Sequence, residues 1–259
     1  MSLPSSEPSP IAATALAGKT ALVTGAGRGL GRGIALAMAQ AGAEVILVSR
    51  SAAELDTVAA EVAALGAKAR AEPCDVTDQS EFASLVERIE RVDVLVNNAG
   101  MNLPQPFVDV TRENYAAMTA LNVSATFFVT QAVVRKMIAE GGGGAIINVT
   151  SQMGHVGATN RSVYCATKHA IEGLTKALAV ELAPHGIRVA SVAPTYIDTP
   201  MTRPFFEDPA TLADARERIP LGRIGRVEEV TAAVVFLASS GASLITGASV
   251  LIDGGYTAQ

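Results

Sequence analysis

The chain is 259 residues long, with 49% hydrophobic residues, 17% charged residues and a formal net charge of −5. That balance supplies one large core, and with no dense lysine or arginine block it argues against a nucleic-acid partner. Only two cysteines occur, Cys74 and Cys165, neither with a CxxC neighbour, so neither a disulfide framework nor a thiolate metal site is expected.

The opening Met1–Gly18 is rich in Ser, Pro and Ala and lacks the basic start and apolar centre of a secretory signal. It reads as a disordered tail, residues 1–18, ahead of a single domain, residues 19–259. No uninterrupted apolar run reaches membrane-spanning length, and a cytoplasmic protein with no membrane partner is expected.

From there strands and helices alternate. The first strand is predicted at Thr20–Thr24, followed by a helix over Gly29–Gly42, a strand at Glu44–Ser49 and a helix over Ala52–Gly66. Next come a strand at Ala69–Cys74, a helix over Gln79–Arg91, a strand at Val92–Asn97 and a long helix over Thr111–Glu140. Gly141–Gly144 reads as a flexible turn into a strand at Ala145–Thr150, after which a helix spans Ser162–Pro184 and a strand Arg188–Val192. Tyr196–Pro220, with four prolines and two adjacent phenylalanines, breaks the alternation and is the candidate substrate lid. A helix at Val227–Ser239 and a strand at Ser249–Ile252 complete the series. The strands are apolar almost throughout, without polar alternation, which suits burial on both faces of a parallel sheet. The fold class is α/β: a doubly wound parallel seven-stranded sheet flanked by helices on both faces.

The run Thr24-Gly25-Ala26-Gly27-Arg28-Gly29-Leu30-Gly31 leads from the first strand into the first helix. Glycine there allows a tight turn and close approach to a pyrophosphate, and the helix start adds N–H groups and a positive dipole end. Such a turn also arises for geometry alone. Tyr164 and Lys168 stand four residues apart, on one helix face, where an ammonium stabilises a phenolate and makes tyrosine a usable proton carrier.

Taken together, Thr24-Gly25-x-x-x-Gly29-x-Gly31, Asn97-Asn98-Ala99-Gly100, Asn122, Ser151, Tyr164 and Lys168 resemble the short-chain dehydrogenase/reductase family, over nearly the whole chain from Lys19 onward. The resemblance implies a Rossmann-like fold and an NAD(P)-dependent oxidoreductase that interconverts a secondary alcohol and a ketone. It implies a pyrophosphate turn of Gly25, Gly29 and Gly31, with Arg28 and Leu30 also touching the cofactor, adenine contacts from Asp75 and Val76, and a cofactor floor from Asn97, Asn98, Ala99 and Gly100. Pro194, Ile197 and Thr199 would touch the nicotinamide and phosphates. Tyr164 would carry the proton, Ser151 hydrogen-bond the substrate oxygen, Lys168 hold the nicotinamide ribose and Asn122 anchor a relaying water. On their own, Asp75 reads equally as a cap for the helix near Asp78, and Ser151 as a strand-end turn residue.

The second strand ends Val48-Ser49-Arg50, with no acidic residue for free ribose hydroxyls. Arg50, with Arg28 opposite, suits a 2′-phosphate, so NADP(H) is expected over NAD(H), although Arg50 also reads as a solvated strand-end charge. Ser151, Met153, His155, Tyr164, Tyr196 and Met201 are the expected substrate contacts, beside Gln152, Asn102 and Arg203. Less specifically, this set resembles the gluconate and 2-deoxygluconate dehydrogenase branch, which implies a small polyhydroxy or keto-acid substrate. The alternatives are a 3-oxoacyl thioester (acyl-carrier-protein) reductase, which shares these residues, and a catalytically silent dinucleotide-binding scaffold. Apolar surface on the two long helices, and a final strand resembling the edge through which family members assemble, imply a homotetramer.

Overall fold

The computed structural model describes residues 14–259. Seven strands form one parallel sheet: β1 (Thr20–Thr24), β2 (Glu44–Ser49), β3 (Ala69–Pro73), β4 (Val94–Asn97), β5 (Gly144–Val149), β6 (Ile187–Pro194) and β7 (Ser249–Ile252). Their order is β3-β2-β1-β4-β5-β6-β7. The helices are α1 (Gly29–Gln40), α2 (Ala52–Ala64), α3 (Gln79–Arg88), α4 (Arg112–Thr119), α5 (Thr126–Glu140), α6 (Ser162–Leu182), α7 (Pro209–Glu217) and α8 (Val227–Ala238).

Alternate residues of each central strand enter different cores. Ala21, Val23, Val45, Leu47, Val94 and Val96 pack with α1, α2 and α8 on one face. Leu22, Ile46, Val48, Leu95 and Ile146 pack with α3, α5 and α6 on the other. Burial on both sides is why these strands read as unbroken apolar runs. The chain reverses direction across the sheet between β1 and β4, which pair Leu22 with Leu95, so their carboxyl ends open a crevice.

Four expectations need correction. Residues 14–18 do not continue a disordered tail: Leu16 is 1% exposed in the first core and its N–H bonds Ala41 O at 2.8 Å. The rest of that expectation, residues 1–13, lies outside the described residues. The candidate lid segment Tyr196–Pro220, expected to break the strand and helix alternation, itself carries a helix, since Asp208 accepts from the N–H groups of Ala210 and Thr211 and caps α7.

The helix expected over Thr111–Glu140 is capped by Thr111 and divided by a π-helical turn, Ala120–Ala125, between α4 and α5. The turn is fixed from outside the helix, because the Asn122 amide binds the Met101 main chain while Thr126 Oγ1 takes the Asn122 carbonyl at 3.0 Å. Arg112–Glu140 is also long and apolar enough, by length and composition, to cross a membrane, contrary to the sequence reading. In the fold, its Val129, Val133 and Met137 belong to the second core.

Candidate active site at the carboxyl ends of the strands

The nucleotide side is built around Thr24, the last residue of β1. Its Oγ1 accepts from Asn98 N at 3.0 Å and Ala99 N at 3.1 Å, and Asn98 Nδ2 donates to Thr24 O at 2.9 Å and Gly25 O at 3.2 Å. The glycine turn is thereby fastened to the turn after β4. Gly25 has φ +64°, and a Cβ on Gly31 would sit 2.1 Å from Gly25 O, so neither position accepts a side chain. Gly29 faces Thr199 and Pro200 across the mouth of the crevice, where a Cβ would meet Pro200 Cδ at 3.7 Å. Ser51, Asp78 and Thr111 cap α2, α3 and α4 with side chains, whereas α1 begins at Arg28 with no side-chain cap and no acidic residue in its first turn. Its leading N–H groups are left for an anion.

These residues fit a dinucleotide phosphate. At the end of β2 the Ser49 hydroxyl is buried without a hydrogen-bond partner, next to exposed Arg50. Arg28 is 76% exposed and only 3.6 Å from Glu54 Oε1, a loose solvent-screened pair. Asp75 is not the cap of α3, a role taken by Asp78; its Oδ1 accepts from Thr77 N and Oγ1, and the Thr77 main-chain bond holds its carboxyl below the usual range. Val76 is buried in the second core, with Ala99 and Leu121 packed against it.

Asn122, Ser151, Tyr164 and Lys168 come together. Ser151 follows β5, is 8% exposed, accepts from Met153 N at 3.1 Å and hydrogen-bonds the Tyr164 side chain. Contrary to the expectation that the Lys168 ammonium makes this phenol acidic, burial pushes Tyr164 up to about 12, and the groups that pull it back are Ser151, through that bond, and the charge of Arg161. The Lys168 ammonium lies 5.6 Å from the Tyr164 ring centre and donates to Val149 O at 2.9 Å. Burial lowers Lys168 to about 8, against the opposing charge of Glu172. A Cβ on Gly100 would lie 3.3 Å from Asn122 Oδ1 and 3.8 Å from Lys168 Nζ, so the turn after β4 roofs the lysine. The Asn122 amide is committed to Met101 and to Thr167 Oγ1, which leaves its side chain a scaffold. Any water it anchors must use its carbonyl.

The segment after β6 completes the crevice. Pro194 and Ile197 are buried, Ile197 bridges to Gly225, and Thr199 is locked to Thr202. Thr195 stands after that proline without strain, because Asn160 is the sole non-glycine with positive φ among the described residues. Of the expected substrate contacts, Met153 is buried beside Ser151, Tyr196 packs edge-on against Phe206 at 5.7 Å, and Met201 is exposed. Arg203 is paired with Asp198 at 2.8 Å. His155 departs from expectation, since its Nε2 turns to the buried Glu172 at 3.3 Å and to Ser249 Oγ at 3.0 Å.

Two residues near Tyr164 were unread in the sequence or only glimpsed. Arg161 starts α6 after a left-handed Asn160 whose carbonyl accepts from Gln105 N and Arg161 Nη1, and its charge acts on both Tyr164 and Tyr196. Its spacing of three before Tyr164 was a readable signal. Gln152 is 1% exposed with neither amide atom hydrogen-bonded. A separate cavity of about 480 Å³ lies at the amino ends of the strands, lined by Lys19, Asp93 and Arg188. Asp93 and Arg188 are already paired, and the cavity is remote from this chemistry.

A family model described as "Enoyl-(Acyl carrier protein) reductase" matches residues 25–257. L-xylulose reductase of Bos taurus is 44% identical over 243 residues, 94% of this chain and 98% of that protein. A short-chain type dehydrogenase/reductase from Mycobacterium marinum superposes with a TM-score of 0.90 at 41% identity, covering 94% of this chain and 97% of that one. A gluconate 5-dehydrogenase from Burkholderia cenocepacia J2315, solved with NADP and tartrate, gives a TM-score of 0.91 at 33% identity over 94% and 97%. With the tyrosine, lysine and serine converging beneath a capless glycine turn, the chain belongs to the short-chain dehydrogenase/reductase family of oxidoreductases.

Proposed function

We propose that this enzyme interconverts a secondary alcohol and a ketone on a small polyhydroxylated substrate of the sugar or sugar-acid class, with NADP(H) preferred over NAD(H). The observation that carries the reading is the Tyr164 phenol held by Ser151 with the Lys168 ammonium 5.6 Å from its ring centre. A bound nicotinamide dinucleotide supplies or accepts the hydride. Gly25, Gly29, Leu30, Gly31, Asn98, Ala99, Gly100, Pro194, Ile197 and Thr199 would hold it. In reduction, Tyr164 donates its proton to the substrate oxygen, Ser151 donates a hydrogen bond to the same oxygen, and Lys168 stabilises the resulting tyrosinate. Tyr164→Phe is expected to abolish turnover while cofactor binding survives; near-normal activity in that variant refutes the mechanism.

The substrate class is supported by relatives named for L-xylulose and gluconate, and by a neighbour solved with the hydroxy acid tartrate. The second reading, 3-oxoacyl thioester reduction, is favoured by the acyl-carrier description of the family model. A panel of L-xylulose, keto-gluconates and acetoacetyl thioesters separates them, and turnover with thioesters alone selects the second. The complete set of Asn122, Ser151, Tyr164 and Lys168 speaks against a silent scaffold. The cofactor preference rests on Arg50, Arg28 and the unpartnered Ser49 hydroxyl. Exposed Phe127, Phe128, Ile138, Val180 and Leu251 support a homotetramer, to be checked by light scattering, and two free thiols suit a reducing cytoplasm.

A further inference from the structure

Glu172 is a buried carboxylate that the reaction above does not use. It is 5% exposed and lies on α6 one turn beyond Lys168, as Lys168 lies one turn beyond Tyr164. Its oxygens accept from Thr150 Oγ1 at 2.5 Å, Ser191 Oγ at 2.9 Å and Ser249 Oγ at 3.1 Å. His155 Nε2 stands 3.3 Å away. Thr150 directly follows β5, Ser191 lies within β6, Ser249 begins β7, and His155 follows the turn that carries Ser151. Four donors from four separate segments thus converge on one acid.

Consecutive residues where β5 ends are divided among successive turns of the same helix. The Val149 carbonyl accepts from Lys168, the Thr150 hydroxyl donates to Glu172, and the Ser151 hydroxyl meets Tyr164. Stability alone is a poor reason for such a cluster, because apolar side chains of equal volume usually serve a core as well or better. The charge has a use one turn away. Burial depresses Lys168 to about 8, and Glu172 opposes that fall.

We propose that Glu172 is a positioning residue for this reaction: its carboxylate sustains the charge of Lys168 and ties the strand end bearing Ser151 to α6. The titratable groups facing it are Lys168 on its own helix and His155 on the Ser151 turn, while Thr150 and the strands β6 and β7 contribute hydroxyls. Lys176, one turn further along α6, is exposed.

The proposal rests on the redox reading for its consequence in turnover, so the test has two arms. The ammonium titration of Lys168 in cofactor-free protein is followed through its isotope-labelled Cε resonance, assigned by its loss in Lys168→Met. In Glu172→Gln the titration is expected to move down by about one pH unit, the size of a charge interaction across one helical turn. The high-pH limb of ketone reduction should move with it. His155→Lys, a fixed cation at a partly exposed position, should move both in the same direction by less, and His155→Gln should leave both in place. An unmoved Lys168 titration in Glu172→Gln overturns the proposal. Should that variant fail to fold, an unmoved titration in His155→Lys does so. Failure of the redox reading shows separately, as a parent protein inert toward every carbonyl while the Lys168 titrations still shift.

Discussion

Gly31→Ala tests whether the glycine turn binds phosphate or merely changes direction. The added Cβ would sit 2.1 Å from Gly25 O, 2.5 Å from Asn98 Nδ2 and 2.8 Å from Gly25 C. Ordinary contact needs about 3.5 Å, so main chain must move by roughly 1.4 Å, and the atoms met are backbone and a doubly bonded amide. Overpacking of this kind costs about 1–3 kcal/mol of stability. The displaced atoms are those that aim the α1 N–H groups into the crevice, so cofactor affinity should fall by about tenfold or more, equivalent to roughly 1.4 kcal/mol. Gly33→Ala is the control: its Cβ would meet Val227 Cγ1 at 2.2 Å, a side-chain methyl that can turn aside without disturbing the crevice. Quenching of cofactor fluorescence gives the affinity and thermal unfolding the stability. A Gly31→Ala protein that binds NADPH as tightly as the parent refutes the phosphate assignment.

Lys168 is protonated below its lowered pKa of about 8 and neutral above it, so ketone reduction should be fastest below that value and decline as pH rises through it. A profile flat to pH 10 would contradict that. On the NADP(H) reading, Arg50→Ser would remove a charge-assisted contact to the 2′-phosphate worth about 2 kcal/mol, so the NADPH affinity should drop roughly thirtyfold with NADH nearly unchanged. Equal losses for the two cofactors, or better parental turnover with NADH, would remove the NADP(H) preference. Arg161→Gln should raise KM about tenfold for keto-gluconates and leave it unchanged for L-xylulose, if the arginine beside Tyr164 and Tyr196 reads a substrate carboxylate. Identical effects on both substrates would leave it no such role.

Among the described residues every strand and seven of the eight α-helices were legible in the sequence, with the long one undivided, because most bury a continuous or periodic apolar face that their own residues advertise; the edge strands β3 and β7 are only half-buried, and β3 carries Arg70 and Glu72 instead of an unbroken apolar run. The candidate proton-transfer pair and nucleotide turn were legible for a local reason: Tyr164 and Lys168 share a helix face through a spacing of four, and Gly25, Gly29 and Gly31 sit where strand becomes helix. The helix α7 was not read, because the prolines around it hide the pattern; Asp208 three residues before Thr211 was its one local signal.

Contacts between distant segments decided the rest. Leu16 belongs to the core because Ala41 receives its N–H, and the π turn exists because Met101 holds the Asn122 amide. His155 leaves the cleft for Glu172, a carboxylate whose partners come from three further points in the chain. Periodicity and capping are written in neighbouring residues, whereas the partner of a buried polar group is set by which strands the topology brings side by side. A linear pattern therefore pointed to the candidate site, and the packed sheet determined which charges surround it.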